Sequence, residues 1–179
     1  TRLQPDADVR DKRVLIVDDN DAAREVVADM LGSMGFEVRS AASGKGAVIS
    51  VEVAERAGKP FDLVFLDWQM PGMDGIATAQ AIRQLQLARP PHLIMITAHG
   101  REELRKSALQ VGIEDILTKP LNPSLLLDTS MHALALVAMS EEPLHAASPS
   151  AAQNPELDSI RGAHVLLVED NELNQEVAL

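Results

Sequence analysis

From Arg13 to about Met139, short apolar runs alternate with longer segments whose apolar positions recur every three or four residues. The runs Val14–Val17, Phe36–Arg39, Leu63–Leu66, Leu93–Ile96 and Ile113–Leu117 predict strands. Several are unbroken blocks of Val, Ile and Leu, the composition required of parallel strands covered on both faces. The intervening segments predict helices near Asp21–Met34, Gly44–Ala57, Gly75–Ala88, Glu102–Val111 and Pro123–Met139. Asn20 or Asp21 can cap the first of these, and Gly35 can close it. Five strand–helix units with right-handed crossovers make an open α/β sheet.

The pattern breaks beyond Met139. Residues 140–161 carry Pro143, Pro149 and Pro155 within a Ser/Ala-rich stretch, the composition of a linker. Residues 1–12 read as an N-terminal linker and 13–139 as the domain. A new apolar run, His164–Val168, is followed by Glu169, Asp170 and Asn171. The stretch VLLVEDNELNQEVA (165–178) aligns without gaps on VLIVDDNDAAREVV (14–27), with seven of fourteen positions identical. Residues 162–179 are therefore expected to begin a second, truncated copy of the domain, a β-α stub. With no initiator Met and an end inside a helical pattern, the chain is expected to be a piece of a longer protein.

Composition narrows the function classes. A formal net charge of −11 argues against direct nucleic-acid binding, which needs a cationic face. The absence of cysteine removes disulfides, thiolate metal sites and a Cys nucleophile. No apolar run approaches the roughly 20 residues of a membrane helix and no signal peptide opens the chain, so no membrane contact is expected of this fragment. A cytoplasmic location is expected, although a parent protein could be anchored in a membrane.

Candidate chemistry lies at the carboxyl ends of the strands, where open α/β sheets bind ligands. Asp18 and Asp19 follow the first strand, Asp67 the third, Thr97 the fourth, and Lys119 with Pro120 the fifth. Taken singly, each has an ordinary explanation: a helix-capping pair, a loop cap, a β-branched strand residue, a solvated lysine. Together, in order along one rim, they do not. Three converging carboxylates repel unless a cation neutralises them. Oxygen-only ligands without His or Cys suit a hard ion, Mg²⁺ first and Mn²⁺ as a substitute. A hydroxyl and an ammonium opposite suit the oxygens of a phosphoryl group.

This constellation, with the segment LDWQMPGMDG (66–75), resembles the receiver domains of response regulators over about Arg13–Met139. The resemblance implies a flavodoxin-like (βα)5 doubly wound sheet of strand order 2-1-3-4-5. It implies that Asp67 is the phosphoacceptor, attacking a kinase phosphohistidine. Asp19 and Asp67 would ligate the cation directly, Asp18 through water, and the Gln69 carbonyl would complete the protein ligands. Thr97 and Lys119 would hold phosphoryl oxygens, and the Lys119–Pro120 bond would be cis. Gln69 and His99 fall where receivers tune phosphoryl lifetime. The chain departs from the family at Ile116, where receivers usually carry Tyr or Phe, so the usual aromatic switch is in doubt.

Other motifs fail on spacing. Gly44-Lys45-Gly46 lacks the rest of a P-loop, and His92, His99, His132, His145 and His164 have no metal-ligand spacing. Two receivers in tandem resemble the C-terminal part of a hybrid sensor histidine kinase. The leading expectation is a phosphorelay receiver whose partners are a histidine kinase domain and a histidine phosphotransfer protein. The competing expectations are a phosphorylation-controlled interaction module without onward transfer and an unphosphorylated scaffold. Association through the last helices or the stub could make a homodimer. The fragment holds no kinase catalytic domain, so enzyme activity beyond self-phosphorylation and self-dephosphorylation would belong to the parent.

Overall fold

The computed structural model describes residues 9–98, 102–113 and 115–141, the side chains of 102–105 and 136–141 excepted. Five strands and five helices alternate: β1 (Arg13–Val17), α1 (Asp21–Met34), β2 (Glu37–Ala41), α2 (Gly44–Arg56), β3 (Leu63–Asp67), α3 (Gly75–Gln84), β4 (His92–Thr97), α4 (Glu102–Gln110), β5 (Asp115–Thr118) and α5 (Pro123–Glu141). All strand pairings are parallel, in the order β2-β1-β3-β4-β5, as expected. The second copy expected at 162–179 lies outside the described residues, as does most of the expected linker, although α5 runs on to Glu141.

The apolar blocks divide by strand alternation. Val14, Ile16, Leu63, Phe65, Ile94 and Ile96 pack with Val27 and Leu31 of α1 and Leu126 and Ala133 of α5. Leu15, Val17, Val64, Leu66 and Met95 face the other way, toward Ala47 and Val51 of α2, Ile82 of α3 and Ala108 of α4. Both faces of β1, β3 and β4 are thus dry along their middles, which explains why polar residues occur only at their ends. Full burial of side chains as large as Phe65 and Leu15 contributes about 1.5–3 kcal/mol each. Val9, within the expected N-terminal linker, is also buried in the α1/α5 layer.

Two strands, β2 and β5, start later than expected, for one reason. Gly35 closes α1 at φ 104°, and the N–H of Phe36 then donates to the Leu31 carbonyl. Gly112 likewise turns at φ 74°, and the N–H of Ile113 donates to the Ala108 carbonyl. Each apolar residue after the glycine spends its donor on the preceding helix, so β2 starts at Glu37 and β5 at Asp115. Helix α3 ends at Gln84 rather than near Ala88, because Leu85 is already extended (φ −68°, ψ 129°).

Candidate functional site

The rim at the strands' carboxyl ends collects the expected residues. β1 ends one residue before Asp18, which is buried. Asp19 follows, exposed, and Asn20 caps α1 by accepting from the Ala23 N–H at 3.1 Å. β3 ends on Asp67, 7% exposed, and β4 on Thr97, 1% exposed. Lys119 follows β5, its backbone N–H donating to the Thr97 carbonyl at 2.7 Å, and its bond to Pro120 is cis. Carboxylate oxygens of Asp18, Asp19 and Asp67 all lie within 4.8 Å of one another, the one such cluster of metal-ligating groups among the described residues.

One ammonium serves two of these acids. Lys119 Nζ donates to Asp18 Oδ2 at 2.8 Å and to Asp67 Oδ1 at 2.6 Å. The remaining oxygens take backbone donors: the Asn20 N–H reaches Asp18 Oδ1 at 2.8 Å, and the Gln69 N–H reaches Asp67 Oδ2 at 2.9 Å. Burial pushes the Asp67 carboxyl above its ordinary range, and the nearby Asp18 adds to this. Lys119 and the Gln69 N–H oppose the rise without cancelling it. Burial alone would lower the Lys119 ammonium, but its bonds to Asp18 and Asp67 outweigh burial and raise it. Three carboxylates against one lysine leave an excess of two negative charges. A divalent cation matches that deficit, and an all-oxygen donor set suits a hard ion.

Beside the acids opens a groove of about 480 Å³, lined by Asp19, Trp68, Gln69, Met70, Pro71 and Asp74. Its floor is fixed by the β3–α3 turn. The Gly75 N–H donates to the Trp68 carbonyl at 3.0 Å, and Asp74 caps α3 by accepting from the Ala77 N–H at 2.7 Å. Gly75 is required sterically, since a Cβ there would lie 2.5 Å from the Asp67 carbonyl oxygen and 2.8 Å from the Met95 sulfur. Gln69 is exposed at the groove's edge, whereas Ile116 is half-buried against the α2/α3/α4 layer, away from the acids' hydrogen bonds. His99 lies outside the described residues. Sequence reasoning missed Arg24, whose guanidinium reaches the Asp18 carbonyl at 2.7 Å; only a contact six residues along the chain reveals it.

The profile of the response regulator receiver domain matches residues 14–130. The chain is 34% identical to the sensor histidine kinase GacS of Pseudomonas protegens over 151 residues, 83% of this chain but 15% of that protein. It is 38% identical to the phosphate regulon transcriptional regulatory protein PhoB of Pseudomonas aeruginosa, over 63% of this chain and 47% of PhoB. It thus spans less than half the length of these curated relatives. Among solved structures it resembles the chemotaxis protein CheY4 of Vibrio cholerae (TM-score 0.63, 32% identity, 69% of this chain and 98% of that one). A chain of the CheX-CheY-BeF3-Mg+2 complex from Borrelia burgdorferi is also similar (TM-score 0.61, 34% identity, 68% of this chain and 87% of that one).

Proposed function

Because the chain belongs to the response regulator receiver domain family, we propose that it accepts a phosphoryl group on Asp67 from a kinase phosphohistidine, in a reaction that needs Mg²⁺ or Mn²⁺. The observation that supports this most is a buried carboxylate, Asp67, sharing one lysine with Asp18 while Asp19 crowds the same point. An Asp67 oxygen attacks phosphorus and forms the acyl phosphate. The P–N bond breaks, and the imidazole nitrogen leaves with the electron pair and takes a proton from solvent. Asp18, Asp19, Asp67 and the Gln69 carbonyl would hold the cation, which when bound would neutralise the acids and the incoming phosphoryl oxygens. Lys119, already bonded to Asp67, and Thr97 at the end of the neighbouring strand would supply an ammonium and a hydroxyl to the transferred group.

The Borrelia relative, named with BeF3 and Mg+2, supports a phosphoryl-and-cation reading of this rim. The GacS match supports a place in a hybrid sensor kinase, with a histidine kinase domain and a histidine phosphotransfer protein as partners. The repeat at 165–178 supports a second receiver behind the first. Among the described residues no helix is long and apolar enough to cross a membrane. The PhoB match favours a second reading, in which phosphorylation reshapes a binding surface without onward transfer.

Incubation with a phosphorylated kinase domain, followed by peptide mass mapping, tests acceptance: the phosphoryl group should sit on the peptide containing Asp67. Adding a phosphotransfer protein separates the two readings, since a relay passes the label on and a switch retains it. A label on any other residue defeats both.

A further inference from the structure

We infer that Arg24 is a positioning residue for the cation site, acting through the β1–α1 turn rather than on any ligand. This rests on the proposed reading of Asp18, Asp19 and Asp67 as cation-holding residues. Asp18 and Asp19 sit on the short turn that leaves β1, and Asp19 is exposed, so its direction depends on the backbone beneath it. That backbone is held from three sides. The Asp18 N–H donates to the Ala41 carbonyl of β2 at 3.3 Å. The Asn20 N–H turns back to Asp18 Oδ1 at 2.8 Å. The Asp18 carbonyl accepts from Arg24 Nη1 at 2.7 Å.

Arg24 is built for this role. It stands in the first turns of α1, its own N–H donating to the Asn20 carbonyl at 3.0 Å, so the arginine is anchored to the same turn that it clamps. Its side chain is only 17% exposed, and Nη2 donates to Asp21 Oδ1, so both ends of the guanidinium are engaged. A planar fork with two fixed donors sets the carbonyl's orientation in a way that a lysine ammonium does not. Since the peptide that bears the Asp18 carbonyl also bears the Asp19 N–H, fixing one fixes the plane from which the Asp19 side chain leaves.

Two physical effects of Arg24 oppose each other, and this makes the inference testable. Its positive charge beside the β1–α1 turn disfavours a second cation there, whereas its clamp favours one by pre-aligning Asp19. The inference is that the clamp wins. Mg²⁺ affinity is read from Trp68 emission, because Trp68 lines the groove beside Asp19, with calorimetry as an independent measure. Both Arg24→Gln and Arg24→Lys should weaken Mg²⁺ by about tenfold, the usual size for an outer-shell partner of a metal ligand. At saturating Mg²⁺, phosphorylation by acetyl phosphate should return to within about twofold of wild type. Unchanged affinity in Arg24→Lys with tighter binding in Arg24→Gln would show that only the charge matters. Lowered melting temperatures with unmoved Mg²⁺ affinity in both variants would reduce Arg24 to a helix-stabilising residue. A wild-type chain that binds no Mg²⁺ at all would instead remove the cation-site reading itself.

Discussion

The two rims of the sheet treat charge in opposite ways. At the strands' amino ends, charged and polar residues open four of the five strands, and each has a polar partner. Arg13 Nε lies 3.1 Å from Glu37, and Arg13 also stacks over the Phe61 ring at 4.8 Å. Asp62 takes the Arg13 N–H at 2.8 Å and Lys12 at 3.3 Å. His92 of β4 meets Asp115 of β5 at 2.7 Å, with His132 of α5 at 3.8 Å from the same carboxylate. At the carboxyl ends, three carboxylates crowd one lysine. One rim pairs its charged groups; the other gathers three carboxylates around one lysine, which the proposed cation would offset. The contrast teaches that an unbalanced cluster of charges is the better candidate for a working site, since converging carboxylates repel one another unless something binds between them.

The sharpest way to break this comparison is to remove the acceptor. Asp67→Asn should reduce acetyl phosphate labelling by at least about a hundredfold, whereas Asp62→Asn at the opposite rim should leave it within about twofold. Phosphate incorporation measured by mass spectrometry checks both. Lys119→Met comes next: labelling should fall by about a hundredfold, the loss typical of one preorganised electrostatic group. Its Mg²⁺ affinity should hold or rise, because the variant leaves the acids less neutralised. Loss of both together would place Lys119 in folding rather than in transfer.

Steric crowding supplies a smaller effect. Gly75→Ala must displace the Asp67 carbonyl or Met95, so a stability loss of about 1–3 kcal/mol and slower labelling are expected. At Gly32 an added Cβ would meet nothing within 4 Å, so Ala there should be accepted in α1 with a gain of up to about 1 kcal/mol. Urea unfolding of the two variants should move in opposite directions. The smallest effect is expected at the balanced rim. Asp62→Asn weakens two bonds and should cost about 1–2 kcal/mol in the same assay, without touching Mg²⁺.

The carboxyl-end rim is legible in the sequence because its residues recur at the ends of strands that apolar periodicity already locates. Asp18, Asp67, Thr97 and Lys119 need only the strand boundaries to be brought together. The amino-end rim is not legible. His92, Asp115 and His132 show no ligand or pair spacing along the chain, and only the β4–β5 register and the return of α5 unite them. Phe36 and Ile113 read as strand residues because their side chains are apolar and buried, while the fate of their N–H groups is decided by a preceding glycine. Arg24 escapes notice since its partner is a backbone carbonyl, which leaves no trace in residue type.

A Mg²⁺ titration followed by calorimetry on wild type, Asp19→Asn and Asp62→Asn tests the charge argument most directly. The two variants each lose one negative charge, at opposite rims of the same sheet. The account predicts one site in wild type, about tenfold or greater weakening in Asp19→Asn, and no change in Asp62→Asn. Equal weakening in both variants would mean that net charge alone attracts the ion. Unchanged binding in Asp19→Asn would contradict the assignment of the unbalanced rim as the cation site.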